Sequence, residues 1–195
     1  MAKKITIIQG HPDPAENRFC HALADAYAAG ATAARHEVRR ISVARVDFPI
    51  LRTYDEFYKS AAPPVILPTQ EAIGWADHLV IIYPLWLGTL PALLKGFFEQ
   101  VFRPGFAFTE PKSGRMWEKL LKGKSCRIIV TMGMPAFFYR WFYFAHGLKS
   151  LERNILGFAG IGPIRESLIG MIADMSLAKR QQWLDDVRKL GGRAL

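Results

Sequence analysis

The chain has 195 residues, 50% of them hydrophobic, with 26 Lys+Arg against 17 Asp+Glu and a net charge of +9. This balance argues against a disordered or fibrous chain and is enough for one compact domain, since a chain of this size buries roughly 70% of its unfolded surface. Cys20 and Cys126 stand alone, without a CxxC or a histidine at metal-ligand spacing, which argues against a disulfide framework or a structural zinc site and fits a reducing cytoplasm.

Ile5 to Ile8 is a continuous apolar run closed by Gly10-His11-Pro12, as expected of a strand buried on both faces and too short for an export signal. Arg18 to Ala34 carries Phe19, Leu23, Ala26 and Tyr27 at helical spacing, with Asn17 as the predicted N-cap. Glu37 to Val43 alternates and suits a strand near a sheet edge. Arg45 to Pro68, with four prolines and no sustained period, is a long excursion of the kind that is usually functional. A short helix is predicted over Thr69 to Ala76, a buried strand over His78 to Tyr83 ending at Pro84, and a helix over Pro91 to Phe102 with proline in its first turn. Lys112 to Lys122 is polar and ends at Gly123. A strand over Arg127 to Thr131, an aromatic helix over Tyr139 to Ile155, a strand over Gly157 to Ser167 and a helix over Ser176 to Leu190 complete the chain. Arg140 and His146 interrupt the aromatic segment before it reaches the roughly 20 apolar residues of a membrane span, so it reads as a pocket wall or an interface.

Five strands alternating with helices predict a single α/β domain over residues 1–195, a parallel sheet covered on both faces. Without a Gly-x-Gly-x-x-Gly turn after the first strand, the expected architecture is the flavodoxin-like doubly wound sheet, order 2-1-3-4-5, whose ligands sit beyond the carboxyl ends of the strands. Three loops meet there. The first, Gln9 to Phe19, opens a helix whose free N–H groups attract an anion, with His11, Asn17 and Arg18 as further donors; Asn17 reads equally well as a cap alone. The second, Tyr83 to Pro91, is unusually apolar for a loop and offers a flat ring both a platform and backbone donors from Leu85 to Gly88; packing under the excursion or against a second copy is the other reading. The third is Thr131-Met132-Gly133-Met134-Pro135, followed by Tyr139 and His146. Seven residues apart is about two helical turns, so both fall on one helix face if the helix has begun by Tyr139, either as core or as a functional pair.

The stretch from Tyr83 through Phe102 is similar to the Pro-Leu, Pro-Ala and Leu-Lys-Gly-x-x-Glu-x-Val-Phe pattern of the flavin-dependent NAD(P)H:quinone oxidoreductases of the DT-diaphorase type and their bacterial relatives, and Phe106-Ala107-Phe108 and Thr131-x-Gly133 continue it in register. The resemblance implies that FMN or FAD is held with its phosphate among His11, Asn17, Arg18 and Phe19. Its ring would lie against Pro84, Leu85, Trp86, Leu87 and Gly88 and against Thr131, Met132, Gly133 and Met134. It implies NAD(P)H as electron donor, a quinone or similar flat acceptor reduced by ping-pong kinetics, and a homodimer with a shared site. Tyr139 and His146 resemble the family's tyrosine and histidine that stabilise charge on the reduced ring, at a spacing one residue longer. Trp86, Phe137, Tyr139 and Trp141 are candidates for the acceptor-facing surface.

Other chemistries fit less well. The positive charge is scattered, with no nucleic-acid fold signature, and suits anionic small molecules or docking to an anionic surface. Gly123-Lys124-Ser125 copies the end of a nucleotide-binding loop, but Glu118 stands where its first glycine is required. The alternative function is a non-catalytic, flavin-binding regulatory subunit of a membrane transport system, since similar proteins are ancillary partners of potassium-efflux systems.

Overall fold

The computed structural model describes residues 1–110 and 116–195. Its strands, β1 (Lys4–Gln9), β2 (Glu37–Ser42), β3 (His78–Pro84), β4 (Ser125–Thr131) and β5 (Ile164–Ile169), form one parallel sheet in the order β2-β1-β3-β4-β5. Every residue of β3 is buried, which is why that strand reads as an uninterrupted apolar run. The edge strand β2 keeps Arg39 and Arg40 at its margin, and both pair with carboxylates, Glu71 and Asp25. Charged side chains on an edge strand discourage pairing with another sheet.

Helix α1 (Phe19–Ala33) covers one face of the sheet together with the C-terminal helix, described below. The other face carries α2 (Tyr54–Tyr58), α3 (Leu67–Trp75) and α4 (Ala92–Val101). Beyond β4 come α5 (Ala136–Trp141), then α6 (His146–Ser150), which widens into a π-helical stretch over Leu151–Leu156 and ends in α7 (Gly157–Ala159). The last helix, α8 (Leu177–Arg193), is capped by Ser176, whose hydroxyl accepts from the Lys179 N–H at 3.3 Å.

Several boundaries differ from the sequence reading. Helix α1 begins at Phe19 with Arg18 in the capping position, extended and without a side-chain cap bond, so Asn17 is not the N-cap. The Gly157 to Ser167 stretch begins as helix, because Gly160 closes α7 in a left-handed conformation (φ +99) and β5 starts only at Ile164. Ala159 and Ile161 are apolar because both are buried in the larger hydrophobic cluster. The aromatic helix predicted over Tyr139 to Ile155 is broken, with Phe144 and Ala145 both left-handed (φ 52 and 49) between α5 and α6. Residues 112–115 of the polar stretch Lys112 to Lys122 lie outside the described residues; within its described part Lys119 bridges back to Phe108.

The excursion after β2 is held down from within the fold. Buried Arg103 donates through Nη1 to the Ala61 carbonyl at 2.9 Å and through Nε to the Phe57 carbonyl at 3.4 Å. The start of α2 is a capping box: Thr53 Oγ1 accepts from the Glu56 N–H at 3.2 Å and the Glu56 carboxylate accepts from the Thr53 N–H at 3.4 Å. That Thr-x-x-Glu signal was present in the sequence and escaped the reading.

Candidate functional site

The loops after β1, β3 and β4 emerge at the same end of the sheet. The first is laced by its own short bonds. The Gly10 N–H donates to the Ile82 carbonyl at 2.7 Å, carrying the β1–β3 pairing one residue past the strand. The His11 N–H donates to Gln9 Oε1 (3.0 Å), and His11 Nδ1 accepts from the Asp13 N–H (3.0 Å). Asp13 in turn accepts from the Ala15 N–H at 2.9 Å and from Arg18 Nε at 2.7 Å, with Arg18 Nη2 at 2.6 Å. These bonds hold the Asp13 carboxyl below the usual range, the Ala15 N–H contributing most. Burial, with His21 nearby, lowers the His11 pKa and favours the neutral ring that the Asp13 bond requires.

Asp13 therefore organises the loop, and the sequence reading missed it. An Asp whose side chain caps the backbone two residues on, inside a Pro-rich turn, was the available signal. At the start of α1 the N–H groups of Phe19 and Cys20 make no hydrogen bond among the described residues, while Asn17 and Arg18 are exposed beside them. Gln9 is buried, and its Nε2 has no partner among the described residues. It lies at the edge of a polar hollow of about 390 Å³ bordered by Glu16, His21, Arg40 and Arg45.

The second loop is a two-residue turn. Trp86 and Thr89 exchange N–H···O bonds of 3.0 Å each, and Leu87 (φ 49) and Gly88 (φ 80) between them are both left-handed. Glycine adopts this shape freely, whereas leucine does so at a cost. The Leu87 and Gly88 N–H groups find no acceptor among the described residues, and Leu87 is 105% exposed. Of the four backbone donors expected here, Leu85 is spent on the Thr131 carbonyl (2.7 Å) and Trp86 on Thr89, so Leu87 and Gly88 remain. Trp86 is half-exposed and meets the His11 ring edge-on at 6.2 Å, which joins the first loop to the second.

The third loop joins them through Thr131, whose Oγ1 lies 3.3 Å from Cys20 Sγ on α1. Met132 is buried, Gly133 exposed and Met134 half-buried. The Met132 and Met134 carbonyls accept from the Ile172 and Met171 N–H groups, both at 3.2 Å, which pins this loop to the one after β5.

Tyr139 and His146 do not share a helix face. Tyr139 is 1% exposed, its hydroxyl donating to the Gly88 carbonyl at 3.2 Å and accepting from the Leu148 N–H at 3.1 Å, whereas His146 is exposed at the start of α6. The chain breaks between them because α6 descends onto the Trp86–Thr89 turn so closely that a Cβ on Gly147 would lie 2.3 Å from the Gly88 oxygen. Tyr139 is thus buried against the Trp86–Thr89 turn, while Phe137 and Trp141 are open to solvent at 69% and 73%. Stacked Phe138 and Phe142, 4.7 Å apart, extend the exposed aromatic face toward Tyr143 and Phe144. Among the described residues, no helix is long and apolar enough to cross a membrane.

A family model described as flavodoxin-like fold matches residues 3–190, so the chain belongs to that flavodoxin-like family. Among curated proteins, it is 30% identical over 111 residues to an uncharacterized NAD(P)H oxidoreductase of Haemophilus influenzae, covering 56% of this chain and 54% of that protein. It is 29% identical over 120 residues to the ribosyldihydronicotinamide dehydrogenase [quinone] of Mus musculus, covering 58% and 51%. The match thus spans about half the length of these relatives. A crystal structure from Streptococcus mutans superposes with a TM-score of 0.81 at 26% identity, covering 97% of this chain and 98% of the other. The NAD(P)H:quinone oxidoreductase of Methanothermobacter marburgensis superposes with a TM-score of 0.83 at 21% identity over the full length of both, which supports the fold.

Proposed function

We propose that the protein is a flavin-dependent NAD(P)H oxidoreductase that reduces quinones or similar flat acceptors by two-electron transfer. The observation that carries this reading is the pair of N–H groups at Leu87 and Gly88, unpartnered among the described residues and set beside exposed Trp86, whose ring meets that of His11 in the loop that leads to the free N–H groups at the start of α1. A planar heterocycle bearing a phosphate matches both ends of that arrangement. The sequence relatives named as quinone and NAD(P)H oxidoreductases support the reaction class, and an FMN-dependent azoreductase of Bacillus anthracis solved with FMN, with a TM-score of 0.76 at 16% identity, shares the fold.

In this reading Phe19 and Cys20 N–H, His11, Asn17 and Arg18 receive the phosphate; Arg18 is already oriented by Asp13 and must share its guanidinium. Pro84 to Gly88 and Thr131 to Met134 enclose the ring. The bound flavin supplies the relay of a hydride equivalent between donor and acceptor. The Leu87 and Gly88 N–H groups would donate to the ring where negative charge develops, and donors fixed in advance need no reorganisation when the charge appears. His146 is the titratable side chain left exposed for that edge. Trp86, Phe137 and Trp141 exclude water and stack the acceptor. Donor and acceptor use one face in turn, which predicts ping-pong kinetics.

A homodimer that covers the aromatic face of Phe137, Trp141, Phe142 and Phe144 completes the reading, since exposed rings clustered in this way mark an interface. The test is the visible spectrum of protein loaded with FMN and, separately, FAD, desalted, and then treated anaerobically with NADH or NADPH. Retained bands that bleach with the nicotinamide and return with a quinone support the enzyme and name its cofactor. Bands that survive without turnover favour the regulatory subunit, and loss of both flavins on desalting refutes the site.

A further inference from the structure

We infer that Tyr139 is a positioning residue for the Trp86–Thr89 turn and not a group that meets the cofactor ring or the substrate, an inference that rests on the flavin site proposed above. A phenol has a single proton, and here it is committed to the Gly88 carbonyl at 3.2 Å, while the oxygen accepts from the Leu148 N–H at 3.1 Å. The side chain is 1% exposed and its hydroxyl is spent on Gly88 and Leu148, so it offers neither surface nor a free proton to a ring resting on the turn. Burial also raises the pKa of the hydroxyl, which keeps that proton in place.

The turn needs such a tie. Leu87 is left-handed although it carries a branched side chain, and a strained backbone persists only where its surroundings over-determine it. Three restraints do so here. The paired Trp86–Thr89 bonds close the turn, Tyr139 fixes the Gly88–Thr89 peptide by its carbonyl, and Gly147 abuts the same peptide, since a Cβ there would lie 2.3 Å from the Gly88 oxygen and 2.6 Å from Thr89 Cα. Their joint effect is to hold the turn in which the Leu87 and Gly88 N–H groups are left without an acceptor among the described residues. The tyrosine so acts on the site through the turn, and charge at the ring edge is left to those N–H groups and to His146.

The experiment compares full-length wild type, Tyr139→Phe and Gly147→Ala. Hydrogen exchange of the flavin-free proteins is read at the Trp86 and Thr89 amides, and FMN affinity by quenching of flavin fluorescence. Tyr139→Phe is expected to speed exchange at both amides about tenfold and to weaken FMN binding by about the same factor, the size of one lost buried hydrogen bond. Its pH–rate profile, measured at saturating FMN, stays that of wild type. Gly147→Ala, which displaces the same peptide from the other side, reproduces the pattern and reports on the turn even if Tyr139→Phe folds poorly. Wild-type exchange and FMN affinity in Tyr139→Phe, with a displaced pH profile or a lost hydride-transfer rate, would overturn the inference. If wild type itself binds neither FMN nor FAD, the function proposed above fails, while unchanged exchange at Trp86 and Thr89 separately refutes the tie.

Discussion

Replacing Gly30 by alanine tests how closely the two helices on one face of the sheet are fitted. A Cβ at Gly30 on α1 would lie 1.9 Å from the Arg188 carbonyl oxygen of α8 and 2.8 Å from its carbon, while one at Gly191 would lie 2.1 Å from the Tyr27 oxygen. These neighbours are backbone and cannot rotate away. Real Cβ contacts do not fall under 3.0 Å, so the helices must part by at least about 1.1 Å, loosening Leu23, Tyr27, Ala31 and Val187 between them. Overpacking of this kind costs about 1–3 kcal/mol. A backbone obstacle belongs at the upper end, and the helix propensity gained by removing glycine returns only about 1 kcal/mol. The expected net loss is about 2 kcal/mol, a fall in Tm of roughly 4–8 °C for a chain of this length. Gly96→Ala is the control: Gly96 is also buried and helical, but the nearest atom a Cβ there would meet outside its own helix is Phe48 Cε2 at an ordinary 3.7 Å, so the propensity gain dominates and stability rises by about 0.5–1 kcal/mol. Urea unfolding and calorimetry read both variants. Shifts of the same sign, or a Gly30→Ala protein as stable as wild type, would refute the fitted-helix argument.

Arg103→Met removes the donors for the Ala61 and Phe57 carbonyls, and is expected to cost about 2 kcal/mol and to open the Arg45–Pro68 excursion to limited proteolysis; an uncut loop counts against the anchor. Burial pushes the His78 pKa down to about 4, so its ring stays neutral in the fold but protonates near 6.5 when unfolded. Stability is therefore complete above about pH 6.5 and declines toward pH 4 by on the order of 3 kcal/mol, and His78→Gln flattens that decline in urea midpoints taken at pH 7 and 4.5. Arg18→Ala is expected to weaken FMN about tenfold while leaving riboflavin, which lacks the phosphate, unchanged; equal losses for both ligands exclude a phosphate contact. Trp141→Glu places a charge on the exposed aromatic face and is expected to give monomers in sedimentation velocity if the proposed wild-type homodimer uses that face, and a dimer unaltered by the substitution moves the interface elsewhere.

The sheet was legible in the linear sequence because a strand buried on both faces has no polar residue to spare. Ile5 to Ile8, His78 to Tyr83 and Arg127 to Thr131 all lie within β1, β3 and β4, and the strand order agrees with that expected for five alternating strands without a Gly-x-Gly-x-x-Gly turn after the first. The second loop was legible for a related reason, since apolar residues where solvent favours polar ones must meet something flat or packed. Local chemistry that competes with its surroundings was harder to read: the capping box at Thr53 lay hidden among prolines, and Asp13 looked like one more turn residue although its carboxylate orders the whole first loop.

Tyr139 and His146 mark the boundary between the two kinds of information. Their spacing by itself determined only that a continuous helix would put them on one face, and the residues between them contain neither glycine nor proline to announce a break. The tertiary structure decided otherwise, forcing Phe144 and Ala145 into left-handed conformations so that α6 reaches the Gly88 turn, where a buried hydroxyl satisfies one carbonyl and one amide at once. The residue types and loops of the site are thus written along the chain. Which N–H groups are left free, and which side chain is spent in holding them, depends on contacts between segments some fifty residues apart, and no local pattern encodes these.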